Sequence, residues 1–131
     1  MPHDYIPNRG DIIIFNQAGI YDAAGEPEKQ LIKRVVGLPG ERVVVKDGTV
    51  TVFNKDQPEG FNPDTLSGSY RITAGTTPGS SDVTIRAGEV YVLGDNRTNS
   101  TDSRIFGPVS SDHIVGKLLV RIMPLSKIER F

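Results

Sequence analysis

Apolar positions along the chain come in short β-branched blocks separated by turn residues. Ile12-Ile13-Ile14-Phe15 is one block, and Leu31-Ile32 with Val35-Val36 flanks two basic residues. Val43-Val44-Val45 and Val50-Thr51-Val52-Phe53 enclose Lys46-Asp47-Gly48-Thr49, and Asp-Gly between such runs predicts a hairpin. Further runs are Tyr70 to Thr73, Val83 to Arg86, Glu89 to Leu93 and Ile114 to Ile122. No stretch sustains a helical period of 3.6 over a dozen residues. The expected fold is mainly β: a barrel-like or sandwich arrangement of short antiparallel strands with long loops.

Three stretches read as loops: Asn16 to Gln30, Lys55 to Gly68 and Ala74 to Asp82. None has the character of a linker, because the strands on either side need one another to bury their faces. The reading is therefore one domain, 1–131. With 131 residues it can hold a single core. The 14 glycines and 9 prolines, spread along the chain, fit frequent turns rather than long helices.

Charge and composition narrow the chemistry. The 15 basic and 16 acidic side chains nearly cancel, which gives no reason to expect nucleic acid as a partner. No run of about 18 apolar residues is present to span a membrane. There is no cysteine, so disulfides, thiolate nucleophiles and thiolate metal sites are excluded. Only His3 and His113 are available as histidine ligands, and no metal is expected.

Two clusters carry candidate chemistry. Gly94-Asp95-Asn96-Arg97-Thr98-Asn99-Ser100-Thr101-Asp102-Ser103-Arg104 follows an apolar strand directly. Its short polar side chains suit a loop held by hydrogen bonds to its own backbone. Asp95, Asp102, Arg97 and Arg104 are expected to pair with one another. Earlier, in Leu31 to Glu41, strand alternation puts Lys33 on one face with Leu31 and Val35, and Arg34 on the other with Ile32 and Val36. A lysine on an apolar face either snorkels or is buried, and burial lowers its proton affinity. A neutral amine can act as a general base toward a serine hydroxyl. Taken alone, a solvent-facing lysine at a sheet edge remains the plainer alternative.

Arg9-Gly10-Asp11 leads straight into a strand, so it is not read as an adhesion motif. His113 follows Ser110, Ser111 and Asp112; immediate neighbours cannot converge as a triad, and a surface turn is expected.

These clusters, in this order, resemble the conserved boxes of the type I signal peptidase family. That family's pattern runs Arg-Gly-Asp with an apolar strand, then Lys-Arg-Val-(Ile/Val)-Gly-Leu-Pro-Gly-(Asp/Glu), then Gly-Asp-Asn-Arg-x-x-Ser-x-Asp-Ser-Arg. Lys33 to Glu41 and Gly94 to Arg104 match nearly letter for letter, and the likeness runs from Arg9 to the C-terminus. The resemblance implies a serine endopeptidase with a Ser-Lys dyad that removes signal peptides from secreted precursors. It implies Lys33 as general base and Ser100 as the serine that orients its amine. It implies supporting roles for Asp95, Asn96, Arg97, Asp102 and Arg104, and pockets for small substrate side chains at Ile14 and Ile32. No cofactor is implied. Expected partners are signal peptides of secretory preproteins and, through an anchor in a parent protein, a membrane surface, with the domain on its outer face.

One departure stands out. The family's Ser-Met-x-Pro segment, which carries the nucleophile, is not found ahead of Arg9, and the first serine is Ser67. These 131 residues alone are therefore expected to be inactive. A groove near Ile14 and Ile32 is expected to be exposed, and such a groove invites a homodimer through it. Other readings are a catalytically dead β module binding peptides or a membrane surface, and a self-cleaving repressor-type Ser-Lys peptidase.

Overall fold

The computed structural model describes residues 6–16, 30–65, 77–99 and 101–118. Among the described residues, eight strands form two antiparallel sheets. They are β1 (Ile12–Asn16), β2 (Gln30–Gly37), β3 (Arg42–Lys46), β4 (Thr49–Phe53), β5 (Ser81–Thr84), β6 (Glu89–Leu93), β7 (Val109–Ser110) and β8 (Ile114–Leu118). The larger sheet has the order β7-β6-β2-β1-β8 and the smaller β4-β3-β5. The only α-helix among the described residues is α1, Ser103–Phe106. The mainly β expectation holds.

The β3–β4 hairpin forms where Asp47-Gly48 predicts it. Lys46 pairs with Thr49, and Asp47 and Gly48 take φ of 54° and 80°. Two successive positive φ values are what the tight hairpin turn demands, and its twist matches that of the strands. β5 begins two residues earlier than the apolar run suggests and stops before Ile85. Ile85 leaves the ladder so that its N–H donates to the Glu41 carbonyl and its own carbonyl accepts from Gly40 N–H. Its side chain then drops into the core.

Two clusters make the interior. The first joins Val36, Tyr91 and Leu93 of the larger sheet to Val43, Val45, Val50, Val52 and Ile85 around the smaller one. The second lies on the other side of the larger sheet, from Ile13, Phe15, Leu31, Val35, Val90, Val92, Val109 and Ile114. Phe106 of α1 meets Phe15 edge-on, with ring centroids 6.0 Å apart. Gly37 sits where the two sheets approach. A Cβ there would lie 2.5 Å from Ile85 Cδ1 and 2.6 Å from Val43 Cγ2.

Several expected features have no counterpart in the described residues. The run Tyr70 to Thr73, most of the loop 16–30, and the ends of the other two loops lie outside them, as do His3 and 119–122 of the last strand. The remainder of the 55–68 loop folds back on β4, where Phe61 bridges Val52, before a single 3-10 turn at Pro63–Thr65.

Candidate active site

β1 and β2 are paired with Ile13 opposite Lys33 and Ile14 opposite Ile32. Ile13, Phe15, Leu31 and Val35 all belong to the second core cluster, and Lys33 shares their face by strand alternation. Its exposure is only 6%, so the expected burial of this lysine is found. A lysine is rarely so deeply covered without a partner, and Lys33 has one or more interactions of its own. Ile14 and Ile32 form a half-buried cross-strand pair on the opposite face.

β2 carries the chain from Lys33 to a second strand partner. Its pairing with β6 starts at Arg34 opposite Leu93. One step further along the ladder stand Lys33 and Gly94, the first residue of the polar loop. The loop therefore leaves β6 directly beside the lysine. Arg34, on the other face, clasps that exit: its guanidinium donates to both carboxylate oxygens of Asp95 at 2.9 and 2.7 Å and to the Gly10 carbonyl at 3.0 Å. A bidentate pair of this kind adds directional specificity to its charge attraction.

The loop is braced from within and from outside. Asp102 is fully buried and caps α1. It accepts from Gly94 N–H at 3.1 Å, from Arg104 N–H at 3.1 Å, and from the Arg104 side chain at 2.8 and 2.7 Å. Ser103 Oγ accepts from Val92 N–H at 2.9 Å, tying the start of α1 to β6. Arg104 also reaches the carbonyls of Arg97 and Pro78. Arg97, 1% exposed, donates to the Gly94 carbonyl at 2.7 Å, to both oxygens of Asp64 and to Thr77 Oγ1.

The pairing expected among the four charged residues of the loop is found in part. Asp102 and Arg104 bind each other, but Asp95 goes to Arg34 and Arg97 to Asp64. The reason is register: Arg34 stands opposite Leu93 and faces the strand exit, while Asp64 arrives from the turn after β4. Asn96 is exposed, and its Oδ1 accepts a 3.3 Å bond from Thr98, so it makes no brace of this kind. Ser100 lies outside the described residues, between the 3-10 turn Arg97–Asn99 and Thr101. A cleft of about 290 Å³ on the far side of the loop runs between Pro78–Ser80 and Arg97, Thr98, Arg104 and Ile105. Neither Lys33 nor the isoleucine pair lines it, so it is separate from the lysine site.

The Arg-Gly-Asp run is engaged within the fold. Arg9 binds both oxygens of Glu41 at 2.6 and 2.8 Å, donates to the Val36 carbonyl and lies 5.0 Å over the Phe61 ring. Asp11 accepts from Asn8 N–H and lies 3.5 Å from Lys117. Burial pulls the Glu41 carboxyl upward, but hydrogen bonds from Arg9, Asn54 and Leu38 N–H, with the charge of Arg9, outweigh it and hold its pKa below the ordinary value. His113 sits exposed at the end of a 3-10 turn, Ser111–His113, as its neighbours suggest.

Among the described residues no group of His, Asp and Glu could hold a metal ion, and no helix is long and apolar enough to cross a membrane. What the geometry offers is a class of site: a covered strand lysine beside a turn that buried arginines and aspartates hold rigid. Comparison with known proteins places it. A family profile described as signal peptidase, peptidase S26, matches residues 3–123, and the chain belongs to that family. It is 30% identical over 129 residues to signal peptidase IB of Staphylococcus aureus (strain Mu50 / ATCC 700699), covering 92% of this chain and 63% of that protein. It is 34% identical over 126 residues to a probable signal peptidase I-1 of Synechocystis sp., covering 95% and 59%. The chain therefore spans about 60% of the length of these curated relatives. Among solved structures it resembles a signal peptidase I from Enterococcus faecalis V583, with a TM-score of 0.58 and 27% identity over 87% of this chain and 97% of that one.

Proposed function

We propose that this domain supplies the general base and the peptide-binding strand of a Ser-Lys endopeptidase that removes signal peptides from secretory precursors. The observation that carries the reading is Lys33, 6% exposed among apolar side chains and directly beside the exit of β6 into the Gly94–Arg104 loop. In such surroundings the ammonium form loses solvation and the neutral amine gains, which is the form that accepts a proton from a serine hydroxyl. The serine attacks the scissile carbonyl, Lys33 takes the hydroxyl proton and passes it to the leaving amine, and water then hydrolyses the acyl-enzyme. Ser100 orients the amine of Lys33 in this scheme.

Substrate binding follows from the sheet. β1 flanks β2 from Gln30 to Arg34, whereas pairing with β6 begins only at Arg34. Among the described strands, Gln30–Ile32 is therefore flanked on one side alone, and an extended peptide can add along the other. Alternate side chains of that peptide would point to the Ile14–Ile32 face, where shallow apolar contact favours small residues such as alanine. The nucleophile belongs to a Ser-Met-x-Pro segment that the 131 residues do not contain, so this polypeptide by itself is expected to leave a precursor intact. The parent protein would be anchored in the cytoplasmic membrane with this domain on its outer face.

The test is processing in a bacterium depleted of its own signal peptidase. The natural gene product that carries these residues should restore cleavage of a secreted precursor, and Lys33→Met should abolish it while leaving thermal unfolding nearly unchanged. A natural gene product that binds signal peptides but never cuts them would instead favour the peptide-binding module.

A further inference from the structure

Asp64 and Thr77 lie outside the sequence boxes, yet both meet the loop beside Lys33 through one buried guanidinium. Arg97 has a side chain of 0% exposure. It donates to Asp64 at 2.7 and 2.8 Å, to Thr77 Oγ1 at 3.0 Å and, through Nε, to the Gly94 carbonyl at 2.7 Å. Thr77 is itself fixed, its N–H donating to the Gly48 carbonyl at 2.9 Å in the hairpin turn of the smaller sheet. Asp64 sits in the 3-10 turn that follows β4 of the same sheet. Gly94 is the residue one step past the Arg34–Leu93 pair, alongside Lys33. A continuous chain of bonds therefore runs from the smaller sheet, through Arg97, to the Gly94 carbonyl at the exit of β6.

We propose that Asp64 and Thr77 are positioning residues for the Lys33 site: they hold Arg97, and through its bond to the Gly94 carbonyl they keep the β6 exit packed against the lysine. The inference rests on the reading of Lys33 as a covered base. Rigid dry walls are what keep a buried amine neutral, and a guanidinium stripped of its carboxylate does not stay in a dry site. Loss of Asp64 should draw Arg97 toward water, loosen Gly94 and hydrate Lys33.

The experiment is an NMR titration of the Lys33 side chain in the 131-residue chain, followed through its Cε resonance. In the wild type the midpoint should lie well below the ordinary lysine value of about 10.4. Asp64→Asn and Thr77→Val should each raise it, Asp64→Asn by about one unit, a tenfold gain in proton affinity. Asp64→Glu should restore most of the wild-type value. Val43→Ala, which loosens the smaller sheet away from the segment that carries Asp64, should leave it alone. A wild-type midpoint at the ordinary value overturns the reading of Lys33 as base. A lowered wild-type midpoint that Asp64→Asn and Thr77→Val leave in place, or that Val43→Ala raises equally, overturns the positioning roles alone. Should Asp64→Asn fail to fold, Thr77→Val decides.

Discussion

The smaller sheet and the loop end of the larger one are built on opposite principles. β3, β4 and β5 meet the rest of the molecule through valines, with Val43, Val45, Val50 and Val52 all at 1% exposure or less. The Gly94–Arg104 loop is held by guanidinium and carboxylate groups, among them Arg97 at 1% and Asp102 at 0%. Apolar packing is tolerant, since side chains of similar volume can exchange at modest cost. Buried charge is not, because removing one partner strands the other without solvent. The exacting interactions gather around the loop that leaves β6, and the tolerant ones lie in the smaller sheet.

Substitutions can break or sharpen that contrast. The largest effect is expected at the loop: Asp64→Asn leaves Arg97 buried without its carboxylate and should cost about 3–5 kcal/mol in urea unfolding. In the valine core, Val52→Ala should cost about 2 kcal/mol by the same measurement, and Val52→Ile clearly less. Gly37→Ala, at the seam between the sheets, should cost about 1–3 kcal/mol, since its Cβ meets Ile85 and Val43.

Acid pH offers a finer distinction. The folded-state pKa of Glu41 is held below its ordinary value of 4.5. Its contribution is therefore complete above that value and is lost as pH falls through the lower folded one. Glu41→Gln should cost about 2 kcal/mol at pH 7, and the difference from wild type should shrink steadily below about pH 4.5. The smallest effect belongs to the exposed Arg42–Asp82 pair, which is bidentate in form but more than half exposed at both ends. Arg42→Ala should leave the thermal midpoint almost unmoved, as surface pairs generally do.

The same contrast explains what could be read from the chain. β-branched runs and Asp47-Gly48 announce the hairpin because valine patterning and positive-φ turns are local properties. Lys33 shows its face by alternation, but alternation alone leaves a solvent-facing lysine open, and its burial is seen only in the fold. Local pattern does not say which carboxylate meets which arginine. Arg34 finds Asp95 through strand register, and Asp64 finds Arg97 from a loop with no periodicity at all. α1, with four residues, and β7, with two, are too short to leave a period in the sequence. Ile14 and Ile32 are legible as two sites, with Ile32 on the other face from Lys33 by alternation, but their place opposite each other needs the pairing of β1 with β2.

Two roles for Lys33 can be told apart, a base and a packed structural lysine. The direct measurement is precursor processing by the natural gene product carrying Lys33→Met, in cells depleted of their own signal peptidase, alongside its thermal unfolding. The prediction is a normally folded protein that leaves the precursor uncut. A normally folded Lys33→Met protein that processes the precursor at the wild-type rate would contradict it.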